Sequence, residues 1–172
     1  MKKVLFLIAQ NNYQPLEYAV PKDILESAGI KVVTVSNQVG IATSTGNYSS
    51  TKVDLSLENI KMDDFEGLFI IGGAGAVEYL DNEIVYNLLK VWQKTGKAYG
   101  AICISPRILA KAGVLKNKKA TGWNDDGKLE DLLLENGAIY NNNSVVVDGN
   151  VITAAGPASA EEFGKEIVKV LQ

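Results

Sequence analysis

The stretch Tyr99-Gly100-Ala101-Ile102-Cys103-Ile104-Ser105-Pro106-Arg107-Ile108-Leu109 decides the fold. A small-residue apolar run stops at the only cysteine in the chain, and Pro106 is placed to start a helix with Ser105 as its N-cap. A thiol at such a junction lies close to the positive end of a helix dipole and to free backbone N–H groups. Both favour thiolate, so the sequence predicts a thiol pKa lowered from about 8.5 toward neutrality.

Working outward, strand and helix patterns alternate. Val4 to Ala9 is a continuous apolar strand, and Pro15 to Ala28 carries Leu16, Val20, Ile24 and Ala28 at helical spacing until Gly29. Pro21 sits inside that helix and should bend it or cost one hydrogen bond. Ile30 to Ser36 and Gly67 to Ile71 read as further strands, the latter closed by Gly72-Gly73. Between Gly40 and Leu57 the pattern turns polar and alternating, which predicts a small hairpin outside the main sheet. Helices are expected over Ile84–Thr95, Pro106–Ala112, Lys128–Glu135 and Ala158–Leu171, and strands over Val145–Asp148 and Val151–Ala154. In the last helix Phe163, Ile167, Val170 and Leu171 form one apolar stripe. Near-continuous apolar strands alternating with helices predict a single α/β domain over 1–172, a mostly parallel sheet covered on both faces.

Composition narrows the function classes. A chain of 172 residues, 47% of them hydrophobic, can bury a real core. The net charge of −3 and the absence of a long basic run argue against nucleic acid; Lys116, Lys118 and Lys119 read as a solvated turn. One cysteine excludes an internal disulfide and a multi-cysteine metal site, and no cofactor motif stands out. The apolar run after Met1-Lys2-Lys3 is too short for a signal peptide, and no segment reaches the roughly 20 apolar residues of a membrane helix. A cytoplasmic location is expected. The strongest restriction is that the chain has no histidine, so the commonest neutral-pH base and metal ligand are missing.

Ligands of open α/β sheets bind beyond the carboxyl ends of the strands. Glu17 follows the first strand, Gly72-Gly73 the Gly67–Ile71 strand, and Cys103 the Ala98–Ile102 strand, so all three are expected at that edge. Each has a plain reading: a buried small residue for Cys103, a dipole-favouring carboxylate for Glu17, and a tight turn for Gly72-Gly73-Ala74-Gly75. The glycine stretch lacks a third fingerprint glycine and a P-loop lysine, so phosphate binding is a weak match. Its N–H groups could instead help form an oxyanion hole beside Cys103.

The chain resembles the DJ-one/ThiJ/PfpI family of the class I glutamine-amidotransferase-like superfamily. The likeness rests on Glu17 with Pro21 and Asp23, Ser27-Ala28-Gly29-Ile30-Lys31-Val32, Ile71-Gly72-Gly73, Ala101-Ile102-Cys103, Lys119-Ala120-Thr121, and Ala155-Gly156-Pro157 before Phe163. These run in order over nearly the whole chain. The resemblance implies a flavodoxin-like three-layer sandwich with a nucleophile elbow at Cys103. It implies a protonated Glu17 donating to the sulfur, and an oxyanion hole from the N–H groups of Gly73 and Ile104. It also implies a homodimer, or a hexamer in the PfpI-like branch. Where PfpI-like members carry histidine and then glycine after the cysteine, this chain has Ile104 and Ser105, and a histidine of another branch aligns with Trp123. Glu78 falls one residue off the glutamate that PfpI-like members lend to a neighbouring subunit. Trp123 and Tyr13 are candidate pocket walls, alongside Gly72 and Ser105.

Three functions follow. The first is redox sensing or stress protection, in which an oxidant converts Cys103 to sulfenate and sulfinate beside Glu17. The second is an enzyme with Cys103 as nucleophile and Glu17 as acid/base, acting on a small electrophile such as an α-oxoaldehyde or an isocyanide. Peptidase action is disfavoured without an imidazole. The third is a holdase that uses an exposed apolar surface.

Overall fold

The computed structural model describes residues 1–172. Lys3–Leu7 (β1) passes through Asn11–Tyr13 (β2) into helix Pro15–Ser27 (α1), and Lys31–Ser36 (β3) follows. Gly40–Ser44 (β4), Ser50–Val53 (β5) and Leu55–Ser56 (β6) precede Gly67–Ile70 (β7). Next come helices Ala74–Tyr79 (α2) and Glu83–Lys94 (α3), strand Ala98–Ile102 (β8) and helix Pro106–Lys111 (α4). Lys119–Ala120 (β9), Leu129–Glu135 (α5) and Ile139–Tyr140 (β10) lead to Val145–Asp148 (β11), Val151–Ala154 (β12) and Ala160–Leu171 (α6).

The main sheet has seven strands in the order β11-β12-β8-β7-β1-β3-β6. Every neighbouring pair is parallel except the edge pair β11–β12. From β1 the chain builds outward through β3 and β6, then crosses to β7 on the other side of β1. The direction of winding therefore reverses between β1 and β7, and the loops leaving them part to open a crevice.

Alternation along the strands sorts the core into two layers. Leu5 and Leu7 of β1 join Leu68 and Ile70 of β7 under Val85, Leu89 and Trp92 of α3, with Ile108 and Leu109 of α4. Val4, Phe6 and Ile8 point the other way, to Tyr18 and Leu25 of α1 and Phe163, Ile167 and Leu171 of α6. Phe69 packs edge-to-face on both Phe6 and Phe163, with ring centroids 6.3 and 6.0 Å apart. Each such fully buried side chain contributes roughly 1.5–3 kcal/mol relative to exposure. This is the α/β sandwich that the strand–helix alternation predicts, with the flavodoxin-like form that the family resemblance implies.

Several local expectations change. The Gly40–Leu57 region does contain a hairpin, β4–β5, which β2 joins in a separate three-stranded sheet. Its last residues, Leu55–Ser56, instead pair with β3 at the edge of the main sheet. The last helix starts at Ala160, after a single 3-10 turn over Pro157–Ser159. The short elements β2, β9, β10 and α2 carry too few residues to show a period. Helix α1 runs continuously through Pro21, so the proline costs a hydrogen bond rather than the helix. No helix is long and apolar enough to cross a membrane.

Strand β8, which delivers Cys103, lies unusually close to β12. A Cβ on Gly100 would sit 1.8 Å from the Ile152 carbonyl oxygen. Gly100→Ala is expected to cost at least about 2 kcal/mol, because backbone must move to admit the methyl. At Gly156 an added Cβ meets nothing within 4 Å, and Gly156→Ala should stay within about 0.5 kcal/mol. Urea unfolding of the two variants checks this, and equal midpoints would contradict it.

Candidate active site

Cys103 is the hinge of the strand-to-helix turn. Its φ is +64°, a left-handed conformation that costs a non-glycine residue roughly 1–2 kcal/mol. Hydrogen bonds hold it on both sides: its N–H donates to the Ala154 carbonyl at 2.9 Å, and its carbonyl accepts from the Trp123 N–H at 2.7 Å. Pro106 occupies the first position of α4, as the sequence suggests. Ser105 does not cap it. Its backbone is already helical, and its buried Oγ donates across the sheet end to the Ile71 carbonyl at 2.9 Å. The hydroxyl thus ties the cysteine turn to the loop leaving β7.

Glu17 reaches the same point from α1. Gln14 caps that helix, its Oε1 accepting from the Leu16 and Glu17 N–H groups at 2.6 and 3.0 Å. The cap fixes the first turn, which turns the Glu17 side chain inward, where it is 0% exposed. Its Oε2 accepts from the Gly72 N–H at 3.0 Å, its Oε1 is buried without a hydrogen-bond partner, and the carboxyl lies beside the Cys103 thiol. Gly72 leaves no room between the two groups. A Cβ there would lie 2.5 Å from Glu17 Oε2 and 2.6 Å from Cys103 Cβ. Gly73, at φ +105°, faces the backbone of Asn12 and Gln14, and its N–H and that of Ile104 point at the sulfur.

The electrostatics depart from the sequence expectation. Burial drives the Glu17 carboxyl up to about 7, against the neighbouring Cys103 thiol and the Gly72 N–H, which favour its charge. Burial first, then the neighbouring Glu17 carboxylate, push Cys103 up to about 12, outweighing the Ile104 and Gly73 N–H groups. A helix start therefore does not bring this thiol toward neutrality while Glu17 is ionised. Losing both protons would leave two anions in contact, so above about pH 7 the pair keeps its last proton.

A cavity of about 260 Å³ opens over the sulfur, lined by Gly73, Ala74, Cys103, Ile104 and Trp123. Cys103 is partly exposed at its floor. Tyr13, expected in the wall, is 1% exposed and packs edge-to-face on Tyr18 at 5.6 Å. It belongs to the core because β2 turns its side chain under the hairpin. Glu78 is exposed on α2 and is not part of the lining. Trp123 is fixed by a group that the sequence did not reveal. The Arg107 guanidinium lies 5.3 Å from the indole centroid, donates to the Trp123 carbonyl, and forms a two-pronged pair with Asp126 at 3.0 and 2.7 Å. That pairing holds the exposed Asp126 carboxyl down at about 2. Gln14, Arg107 and Asp126 carry no motif, since only the fold brings them to the sulfur's surroundings. No group of three or more acidic or cysteine side chains is placed to hold a metal ion.

The family model described as the DJ-1/PfpI family matches residues 2–170. A relative named deglycase PfpI, from Pyrococcus furiosus, is 32% identical over 170 residues, covering 99% of each chain. The glutathione-independent glyoxalase DJR-1.2 of Caenorhabditis elegans is 28% identical over 171 residues, 99% of this chain and 89% of that one. The crystal structure of a ThiJ/PfpI domain protein from Brachyspira murdochii superposes with a TM-score of 0.92 at 29% identity, covering 98% of this chain and 95% of the other.

The raised Glu17 pKa has a consequence for stability. The folded chain keeps a proton that the unfolded chain, at the ordinary carboxyl value of 4.5, has released. Stability should therefore fall as pH rises from about 4.5 to about 7, by roughly 3 kcal/mol in all, and the cost persists above. In Glu17→Gln the slope should vanish. Urea unfolding from pH 4 to 8 checks it; parallel curves for the two proteins would contradict it.

Proposed function

The chain belongs to the DJ-1/PfpI family, and on that premise we propose that it is a cysteine-dependent enzyme acting on small α-oxoaldehydes. In this reading Cys103 is the nucleophile and Glu17 carries the proton. The supporting observation is the fully buried Glu17 carboxyl, raised to about 7, beside a partly exposed thiol in a small cavity. The names of the deglycase and glyoxalase relatives point the same way.

The chemistry closes without a cofactor. With the shared proton on Glu17, the thiolate adds to the aldehyde carbon, and the new oxyanion meets the Gly73 and Ile104 N–H groups and takes the Glu17 proton. The Glu17 carboxylate then removes the hydrogen on that carbon, and the electron pair moves onto the neighbouring ketone to form an enediolate. Glu17 returns the proton to the former ketone carbon, and the hydroxyl proton shifts between the adjacent oxygens. A thioester of a 2-hydroxy acid results, and water cleaves it. One carbon is oxidised, its neighbour is reduced, and one water is consumed. A single carboxyl suffices because the same proton goes out and back. A lone free thiol suits the reducing cytoplasm.

Methylglyoxal conversion to lactate is the direct test. Turnover should vanish in Cys103→Ala and fall at least about 100-fold in Glu17→Gln. In the wild type, kcat/KM should rise as pH passes about 7, where the pair reaches its single-proton state. Absence of turnover in the wild type, or turnover surviving Cys103→Ala, would overturn the reading.

A second reading rests on the three groups that surround the sulfur, the Glu17 carboxyl and the N–H groups of Gly73 and Ile104. The same donors would hold sulfinate oxygens, so Cys103 could report oxidation. Thiolate and one hydrogen peroxide give sulfenate and water; a second peroxide gives sulfinate. Intact-mass spectrometry after mild peroxide should show two added oxygens, suppressed in Glu17→Ala. An unchanged mass would exclude it.

A further inference from the structure

A second cavity, of about 420 Å³, adjoins the first and shares Trp123 with it. The two differ in chemistry. Apart from the thiol, the cavity over Cys103 presents backbone and the apolar side chains of Ala74, Ile104 and Trp123. The second is walled by Asn124, Asn142, Asn143 and Ser144, with Tyr140 beside them. Two of its amides are already oriented by the fold. Asn124 Oδ1 accepts from the Leu129 N–H at 2.8 Å, and Asn142 Oδ1 accepts from the Tyr140 hydroxyl at 3.2 Å. Each bond occupies the amide oxygen and leaves the NH2 group for a ligand. The one carboxylate in the wall, Asp125, is hydrogen-bonded by the Trp123 indole N–H at 3.1 Å.

No lysine or arginine lines this cavity, so a phosphate or carboxylate tail would find no counter-charge there. Asn142 and Asn143 are exposed at the rim, and an alkyl tail would make no hydrogen bond to them in place of water. What fits is an uncharged chain rich in oxygen acceptors, with an aromatic edge at its root. Resting on the α-oxoaldehyde reading, we infer that this cavity is a tail subsite. The preferred substrate is then a hydroxylated α-oxoaldehyde of the kind produced when sugars break down. Its dicarbonyl head sits over Cys103, and its hydroxyls reach Asn124 and Asn142 past Trp123. The Arg107–Asp126 pair braces Trp123, the residue common to both cavities.

The test compares deoxyglucosone with the unhydroxylated six-carbon α-oxoaldehyde and with methylglyoxal. The wild type should favour deoxyglucosone over its unhydroxylated counterpart by about 10-fold or more in kcat/KM, the scale of one or two hydrogen bonds. In the double variant Asn142→Ala, Asn143→Ala that ratio should collapse through KM. Methylglyoxal turnover without any preference for hydroxyls would overturn the subsite and leave the α-oxoaldehyde reading standing. If nothing is turned over, that reading fails, and binding decides the subsite on its own. Trp92 is 0% exposed, so a fluorescence change on titrating mannitol reports Trp123. Saturable quenching that disappears in the double variant supports the subsite; no quenching, or quenching unchanged in the variant, overturns it.

Discussion

The contact between the Glu17 carboxyl and the Cys103 thiol is the constraint around which this end of the molecule is arranged. Two acidic groups meet in a place with little water, and they are compatible only with a proton between them. Holding them there takes a capped helix on one side and a strained elbow on the other. Gln14 fixes the first turn of α1, so that Glu17 points into the sheet end. Cys103 accepts a left-handed backbone because its N–H and carbonyl are both satisfied, by Ala154 and Trp123. Gly72 between them is the consequence: any side chain there would part the pair.

Topology explains why these groups share one crevice. The winding reverses between β1 and β7, so the loop after β1 and the loop after β7 diverge. Helix α1 leaves by the first and the glycine pair by the second, while the neighbouring β8 ends in the cysteine. Ser105 locks the arrangement by spending its hydroxyl on the Ile71 carbonyl rather than on its own helix. A hydrogen bond across two loops does more to hold the elbow than a cap on a helix of six residues.

Much of this was legible in the residues. Continuous apolar runs separated by helical spacing identify a parallel sheet covered on both faces, because only burial on both sides explains strands such as Val4–Ala9. The positions of Glu17, Gly72, Gly73 and Cys103 just after successive strands place them at one edge of the sheet. The short strands β2, β9 and β10 were invisible, since two or three residues show no period. Tyr13 looked like a pocket wall, yet its ring is held against Tyr18 inside the core. Arg107 and Asp126 offered no signal, because their pairing spans a loop whose path is set by the Cys103–Trp123 backbone bond.

Sequence alone determined the class of fold and the reagents: one thiol, one carboxyl in the first turn of the right helix, and no imidazole anywhere. Those follow from composition and periodicity, which are local properties. The state of the reagents was decided by tertiary structure. A helix start taken by itself favours thiolate, whereas burial against Glu17 raises both groups and makes them share a proton. The amide-lined cavity beyond Trp123 is likewise a product of packing, assembled from segments on either side of α5. Desolvation and proximity are properties of the assembled chain, and a linear reading carries neither.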